Sequence, residues 1–324
     1  MFRKIFSPFI YLISEKKRLM LFTIFMAPVF AVLIFPYDDL SDMITSLITK
    51  NSNGQVYVQF DDLGMGFLPP SLKMSNVSVD TLMAPTIKAK KIYLAPSIAG
   101  LLKFSPGFSA NIEDFLKGSV DIDLQGGKKV SDAVKLQNVS IKLKSLSLKS
   151  LLNYGQVQVD AEGSLAAAFV AAVDPALIEQ PDGEVSIDID KFKLPASTLP
   201  TMLGPVSLPN TEISHISAKG TLKSGNLEIT EATIGQAGDT FNGRVKGKIA
   251  MRLVRMGSQI VPELGAYEVK IDLNFDRVSE KGYSLFLSLF DKYRTVTGSG
   301  SRYAFRLSAQ NMNMPPNPSA LGSW

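Results

Sequence analysis

Residues able to perform chemistry are scarce in this sequence. His215 is the single histidine, and the chain of 324 residues contains no cysteine. One histidine cannot supply a histidine pair for zinc, and a Ser-His-Asp triad would have to use this residue. The absence of cysteine excludes disulfides, thiolate metal sites and cysteine nucleophiles. His215 alternates with apolar residues in "EISHISAK", which predicts a surface or edge position on a β-strand.

Two pairs of aspartates have the spacing of a shared sheet face. Asp121 and Asp123, and likewise Asp188 and Asp190, alternate with Val or Ile, so both members of a pair project to the same side of a strand. Paired carboxylates suit acid–base catalysis or calcium binding. The interpretation that we favour is a solvated outer face, whose charges block aggregation of sheet edges.

Two glycine-containing segments could be loops that bind an anion. The segment 64–70, "GMGFLPP", lacks the third glycine of a dinucleotide-binding loop, and its prolines predict a rigid turn. Gly298 and Gly300 lie between Arg294 and Arg302, but a connecting loop explains them without a ligand. The sequence therefore offers no phosphate loop, nucleophile–base pair or metal-ligand spacing. We expect a protein that is not an enzyme, with no catalytic residue, cofactor or metal.

The charge of the chain is concentrated at its start. The whole sequence has 34 basic and 30 acidic residues, and residues 1–18 contain five of the basic and one of the acidic ones. Subtraction leaves 29 of each sign in residues 19–324. A nucleic-acid-binding surface needs an excess of cations on the folded part, so we expect no nucleic-acid partner.

The excess of cations at the start adjoins a long apolar segment. Leu19–Phe35 is free of charged residues and would form a helix of about 26 Å, close to the thickness of a membrane core. It predicts an uncleaved transmembrane helix over 19–37, although a signal peptide cleaved after Ala31 and a buried soluble helix are alternatives. The positive-inside rule places residues 1–18 in the cytoplasm and residues 38–324 outside it. Residues 1–18 themselves have the pattern of a basic amphipathic helix on the inner leaflet, or of a docking segment for a cytoplasmic partner.

The remainder of the chain has the periodicity of a β-protein. Residues 38–54 predict an amphipathic connecting helix, residues 55–310 a β-rich domain, and residues 311–324 a flexible proline-rich tail. Alternation of apolar and polar residues predicts about eleven or twelve strands in antiparallel sheets with one wet face. We also expect short helices, at Ser97–Phe104, Lys149–Asn153, Ser197–Leu203 and Ser284–Lys292.

An internal repeat is indicated by the pattern A-x-G-x-L. It occurs at Ala161–Leu165 and again at Ala218–Leu222, each time after a similar strand, and Gly247 begins a partial third copy. A glycine before an apolar residue predicts a bulge or bend where successive strands curl. Generic strand composition is the alternative explanation of the match.

Together these segments resemble the type II secretion system protein N family. The resemblance rests on the basic tail, the single span, the "FPYDDL" stretch (Phe35–Leu40) and glycine-punctuated strands. The segment Ser224–Ile249 is also similar to strands of the related AsmA-like group. The resemblance implies a single-pass protein of the bacterial inner membrane with a periplasmic domain, which helps to assemble the secretion machinery. It also implies an elongated, curled antiparallel β-sheet of the AsmA-like type, whose apolar inner face shelters lipid chains.

Two functions follow as hypotheses. The first is a structural or adaptor subunit of the type II secretion machinery, tethered to inner-membrane lipids and recruiting other secretion subunits by β-strand addition. The alternative is a lipid-binding or lipid-transfer module with a bound phospholipid in an apolar groove. The predicted groove residues are Val120, Ile122, Val185, Ile187, Val269 and Ile271. The alternation is equally compatible with a closed β-sandwich core.

Overall fold

The structure is a computed structural model, which describes residues 37–67, 70–81, 85–97, 107–129, 135–157, 159–201, 204–256 and 259–322, with Phe22, Met26, Gly100 and Ser105. The predicted cytoplasmic segment 1–18 and most of the predicted span Leu19–Phe35 lie outside these residues; Phe22 and Met26 are helical. Within the described ranges, no helix combines the length and the apolar character that crossing a membrane requires.

Helices are short and few in the described chain. They are α1 (Tyr37–Asn51), α2 (Leu148–Tyr154), α3 (Arg277–Gly282), α4 (Ser284–Leu287) and a 3-10 helix (Ser288–Tyr293). The side chain of Ser147 caps α2 by accepting a hydrogen bond from the backbone N–H of Ser150. Asp276 caps α3 in the same way through Val278 and Ser279, which is the preferred role of Ser and Asp at a helix N-terminus.

Strands make up most of the described residues. They are β1 (Val56–Gln59), β2 (Asp62–Phe67), β3 (Pro70–Thr81), β4 (Ile87–Pro96), β5 (Gly107–Phe115), β6 (Gly118–Lys129), β7 (Lys135–Ser147), β8 (Glu162–Val173), β9 (Asp182–Leu194), β10 (Ser197–Thr201), β11 (Gly204–Leu208), β12 (Thr211–Lys223), β13 (Asn226–Ile234), β14 (Phe241–Met256), β15 (Gln259–Asp276), β16 (Arg294–Val296), β17 (Gly300–Ala309) and β18 (Asn317–Ala320). The chain is thus mainly β, as the alternation predicts.

The strands form one large antiparallel meander. Its 16 strands follow the order β1-β3-β4-β5-β6-β7-β8-β9-β12-β13-β14-β15-β17-β16, with β2 paired to β3 and β18 paired to β17. The segment that connects β9 to β12 forms a separate hairpin of β10 and β11. Because β1 and β16 lie at opposite ends of the order, the described sheet is open and not a closed barrel.

Both ends of the meander have a similar construction. At one end, β3 is covered along its length by two short strands, β1 and β2. At the other end, β16 and β18 cover successive parts of β17. Short edge strands limit unwanted pairing with other chains.

Helices cover the sheet near its two ends. α1 packs on β1 and β2, where its Ile48 contacts the core cluster of Val58, Met74 and Val77. The helices after β15 pack on β15 and β17 around a second cluster. The buried members of that cluster are Phe275, Leu287, Tyr303 and Phe305. The Phe290 and Phe305 rings stack there with centroids 4.3 Å apart.

Bulges occur at the glycines that the internal repeat predicts. The register shifts between Glu162 and Ser164, which brackets Gly163, and again between Lys219 and Gly220. Gly163 has φ 153°, a backbone conformation that favours glycine. The predicted bulges are therefore confirmed at both copies of A-x-G-x-L.

Several local predictions need correction. The described chain has 18 strands, more than the predicted eleven or twelve. The helix predicted at Ser197–Leu203 is wrong, since Ser197–Thr201 is a strand of the β10–β11 hairpin; Pro200 cannot donate the backbone hydrogen bond that a helix interior needs. The turn predicted at 64–70 is confirmed only in its second half: Gly64 and Gly66 lie within β2, and β2 and β3 form a hairpin in which Phe67 pairs with Pro70. Residues Asn317–Ala320 of the predicted tail pair with β17.

Other helix predictions have different outcomes. The helices predicted at Lys149–Asn153 and Ser284–Lys292 are confirmed, the second as α4 followed by the 3-10 helix. The helix predicted at Ser97–Phe104 falls mostly outside the described residues.

Candidate functional site

Apolar side chains of neighbouring strands form rows on one side of the sheet. In an antiparallel pair, residues directly opposite each other share a face, so the register defines rows that run across the strands. One row contains Ile122, Ile141, Phe169, Val185, Gly220, Ile229, Gly247 and Val269, each opposite the next. We call this side of the sheet the apolar face.

A second row on the apolar face adjoins the first. It contains Val120, Leu143, Ala167, Ile187, Ala218, Ala232, Val245 and Ile271. The six residues that the sequence predicts for a groove all lie in these two rows. Each row crosses the strands from β6 to β15, which at about 4.8 Å between neighbouring strands corresponds to about 34 Å.

No second sheet packs on this central part of the apolar face within the described residues. The helix α2 packs on β7 and β8, and otherwise each strand makes its main contacts with its hydrogen-bonded neighbours. Ile187 remains 40% exposed, whereas Val120 is 6% exposed. An uncovered apolar surface of this extent is typical of a binding site for a lipid, a membrane or a partner.

Small residues allow close approach of the strands within the apolar face. A Cβ atom added to Gly247 would lie 2.4 Å from the carbonyl oxygen of Glu268 on β15. At Gly220, an added Cβ would lie 2.9 Å from the carbonyl oxygen of Glu228 on β13. Glycine at both positions therefore permits a strand geometry that a larger residue would disturb.

The opposite side of the sheet, which we call the polar face, carries cross-strand ion pairs. Lys144 contacts Asp121 at 2.6 Å, and Lys248 contacts Glu228 at 3.3 Å. Burial by itself raises the pKa of Asp121, but hydrogen bonds from Lys144 and Asn111 and the lysine charge outweigh it, so the pKa lies below its ordinary value. Asp121 and Asp123 thus lie on the charged face, opposite the apolar rows.

His215 lies between two carboxylates on the polar face. Its Nδ1 is 2.7 Å from Oδ1 of Asp190, and its Nε2 is 3.7 Å from Oδ1 of Asp188. His215 is an exposed strand residue, as the sequence predicts, but its contacts with the aspartates were not predicted. The described residues contain no group of three or more His, Cys, Asp or Glu side chains that could hold a metal ion.

A buried carboxylate on the polar face was missed by the sequence prediction. Asp272 is only 3% exposed and accepts hydrogen bonds from Arg302 and Arg244. Burial alone raises the pKa of Asp272, but the hydrogen bonds and charges of the two arginines outweigh it, so the pKa is lowered. In "KIDLNF" this aspartate has the same alternation as solvated ones, so no sequence signal marks its burial.

The two arginines that flank the glycine loop 298–300 bind carboxylates of the protein itself. Arg294 contacts Glu280 at 2.7 Å, and Arg302 contacts Asp272 at 2.7 Å. The same Glu280 accepts a hydrogen bond of 3.0 Å from the hydroxyl of Tyr303. These contacts favour a structural role for the arginines, which agrees with the connecting loop that we favour from the sequence.

Comparisons of the chain with protein-family models, with curated proteins and with solved structures give no match. The candidate site therefore rests on the geometry of the apolar face itself.

Proposed function

We propose that this protein is a non-enzymatic binding protein that holds lipid acyl chains on its apolar face. The observation that supports the proposal is the pair of uncovered apolar rows, which continue across the strands from β6 to β15. An ordinary β-sandwich would bury such rows against a second sheet. Here the half-exposed side chains are available to an apolar ligand.

The hydrophobic effect gives this binding a sufficient driving force. Burial of apolar surface contributes about 25 cal/mol per Å², so an acyl chain that covers about 200 Å² would gain about 5 kcal/mol. The side chains of the rows have no hydrogen-bonding group, because Val, Ile, Ala and Gly form most of the rows. We therefore expect selection for acyl-chain character and little selection among headgroups on this face.

The location of the protein remains part of the proposal. The sequence predicts an inner-membrane anchor at Leu19–Phe35 and a periplasmic β-domain, which would place the apolar face beside a source of phospholipid. Under this proposal, inner-membrane lipids are the partners, and the bound molecule is a phospholipid.

The adaptor hypothesis for type II secretion depends on the sequence resemblance. It invokes β-strand addition at an exposed sheet edge. The outer edges of β3 and β17 are already paired with short strands, which leaves only short edges for a partner. The geometry thus favours lipid binding over strand addition, and the secretion role remains a prediction.

A pair of matched variants tests the proposal. Ile187→Glu places a charge on the apolar face, and Val170→Glu places the same charge on the polar face of the adjacent strand, where Val170 lies opposite Ser140 and Glu184. The two side chains are similarly exposed, at 40% and 48%. The full chain is purified from membranes in an uncharged detergent, and its co-purified lipid is quantified by mass spectrometry.

We expect Ile187→Glu to lose most of its bound phospholipid, because a carboxylate in contact with acyl chains is strongly disfavoured. Val170→Glu should retain the amount that the unmodified protein carries. Circular dichroism verifies that both variants keep their strand content. Equal lipid content in the two folded variants would contradict the proposal.

A further inference from the structure

The segment that joins β15 to β17 presents apolar side chains to solvent. We call residues 277–296, which form α3, α4, the 3-10 helix and β16, the β15–β17 connection. Val278, Leu289 and Val296 are 81%, 73% and 72% exposed, more than any other large apolar side chain among the residues that the structure describes. Leu285 is 64% exposed. Exposed apolar residues that are scattered singly need no explanation, but four in one short segment point to a binding surface.

The inner side of this connection packs on the end of the apolar face. Leu287 and Phe290 join the core cluster that contains Phe305. Phe305 lies directly opposite Ile271, which belongs to the second apolar row, and Ile271 itself packs against this cluster. The connection therefore covers one end of the apolar face with its inner side, and that side already has its partner.

The outer side of the connection has a ridge of leucines beside a lysine. Leu285 and Leu289 lie on either side of Leu287 in the sequence, yet Leu287 is only 7% exposed. Residues three or four apart share one side of a helix, so Leu285 and Leu289 project together, away from the sheet. In a 3-10 helix, residues three apart are in line, and the exposed Lys292 thus lies beside Leu289.

The composition of this outer side favours a lipid surface over a protein partner. Interfaces between proteins are enriched in aromatic residues and depleted in lysine. Here the rings of Tyr283, Phe290 and Tyr293 pack inward on the core cluster, and the side exposed to solvent has aliphatic residues with Lys281 and Lys292. Aliphatic side chains beside lysines are typical of helices that lie in a membrane interface, where the long lysine side chain reaches the phosphate groups.

The charges of the segment are compatible with anionic lipid. Residues 276–296 contain four basic and three acidic residues, which gives a net charge of one positive unit. Two of the acidic side chains have partners within the protein, since Asp276 caps α3 and Glu280 contacts Arg294 at 2.7 Å. Asp291 is the third acidic residue and is exposed. The small positive balance allows approach to an anionic bilayer, and the aliphatic side chains supply most of the binding.

We infer that the outer side of the β15–β17 connection docks on a lipid bilayer. Val278, Leu285 and Leu289 insert at the boundary between headgroups and acyl chains, and the lysines remain at the level of the phosphates. Because the inner side covers one end of the apolar face, docking brings that end beside bilayer lipid. The docking surface is separate from the proposed acyl-chain site and does not depend on it.

Fluorescence quenching in vesicles tests the inference in the full chain. The sequence has no cysteine, so Leu289→Cys accepts a nitrobenzoxadiazole fluorophore at one position only. Val170→Cys, an exposed valine on the polar face of β8, is the control. The labelled proteins are reconstituted in vesicles of phosphatidylethanolamine and phosphatidylglycerol. Phospholipid with a doxyl quencher on its acyl chain is placed either in these vesicles or in added vesicles without protein, so that docking on either bilayer is detected.

We expect doxyl lipid to quench the fluorophore at position 289, with a shift of its emission to shorter wavelength, and to leave the fluorophore at position 170 unquenched. Adding Leu285→Asp to Leu289→Cys should lower the docked fraction about tenfold, because a leucine is no longer buried in the bilayer. Ser299→Asp places the same charge in the exposed loop before β17 and should reduce quenching far less. Circular dichroism verifies that each variant keeps its strand content.

Absence of doxyl quenching at position 289 in both arrangements, or equal quenching at positions 289 and 170, would overturn the inference. An emission shift without doxyl quenching would also overturn it and would identify a second protein molecule as the occupant. A folded Leu285→Asp variant that loses quenching but keeps its co-purified phospholipid would support docking as a property separate from acyl-chain binding. Loss of phospholipid in Ile187→Glu, with quenching at position 289 retained, would support the same separation.

Discussion

Arg302 holds Asp272 by two hydrogen bonds across neighbouring strands. Its Nε donates to Oδ1 at 2.7 Å, and its Nη2 donates to Oδ2 at 2.9 Å. The side chain of Asp272 is 5% exposed, whereas that of Arg302 is 43% exposed. A buried carboxylate of this kind depends on its cationic partners, because water cannot replace them.

Arg302→Gln should destabilise the protein by about 2 kcal/mol, since Asp272 would keep only the longer contact with Arg244. Urea unfolding near neutral pH measures this change. Arg252→Gln, an exposed arginine on β14, is the control and should cost less than about 0.5 kcal/mol. Equal costs for the two variants would show that the pair contributes nothing specific.

The same pair predicts a pH dependence. The pKa of Asp272 is lowered in the folded protein, so its contribution to stability is present above the unfolded pKa of about 3.9 and is lost as the pH falls through the folded value. Arg302→Gln weakens this contribution. The difference in unfolding free energy between the two proteins should therefore shrink as the pH falls below about 4.

Tyr303 predicts a change at alkaline pH. Burial raises the pKa of Tyr303 to about 12, with a further contribution from its hydrogen bond to Glu280. Tyr303 therefore stabilises the fold fully at pH values below the pKa of about 10 that a tyrosine has in the unfolded chain. This stabilisation is lost as the pH rises toward the pKa of Tyr303 in the folded protein. Tyr303→Phe should cost about 1 kcal/mol near neutral pH and should reduce the alkaline loss of stability.

Unfolding free energies from about pH 8 to pH 11 test this prediction, and ultraviolet absorbance reports tyrosinate formation. Tyr267→Phe is a suitable control, because Tyr267 is only half-buried on β15. If the unfolding free energy of Tyr303→Phe fell at alkaline pH by the same amount as that of the unmodified protein, Tyr303 would not be the source of the pH dependence.

Gly247→Ala tests the close approach of β14 and β15. Its Cβ would lie 2.4 Å from the carbonyl oxygen of Glu268, so the strands would have to separate, at a cost of about 1 to 3 kcal/mol. Gly298→Ala is the matched control, because no atom lies within 4 Å of its added Cβ. Thermal unfolding of the two variants should therefore differ clearly, and equal melting temperatures would disprove the constraint.

Phe290→Ala tests the packing of the 3-10 helix on the sheet. Phe290 stacks on Phe305 with an interplanar angle of 10°, and its loss should destabilise this end of the protein by about 3 kcal/mol. The adjacent Leu289 is 73% exposed, so Leu289→Ala should change stability by less than about 0.5 kcal/mol. Urea unfolding measures both, and a larger loss in Leu289→Ala would reverse the proposed orientation of the helix.

The faces of the sheet could be predicted from the sequence because a strand has a period of two. The alternation placed Val120, Ile187 and Ile271 on one side without any knowledge of strand order. The bulges at Gly163 and Gly220 were also predictable, since glycine has few other reasons to interrupt an apolar strand.

Strand partners could not be predicted in the same way. The burial of Asp272 and the contacts of His215 depend on which residues lie opposite them, and the period of a single strand does not fix that register. The alternation of apolar and polar residues also could not predict that the sheet is open. A sandwich and an uncovered meander have the same pattern of apolar residues.

The uncovered apolar face is the central claim, and native mass spectrometry of the full chain tests it most directly. The protein is extracted gently from membranes, and the mass and identity of any bound molecule are determined. Lipid binding to the two rows predicts phospholipid in a stoichiometric amount. A bare polypeptide that remains folded after the same extraction would contradict the proposal.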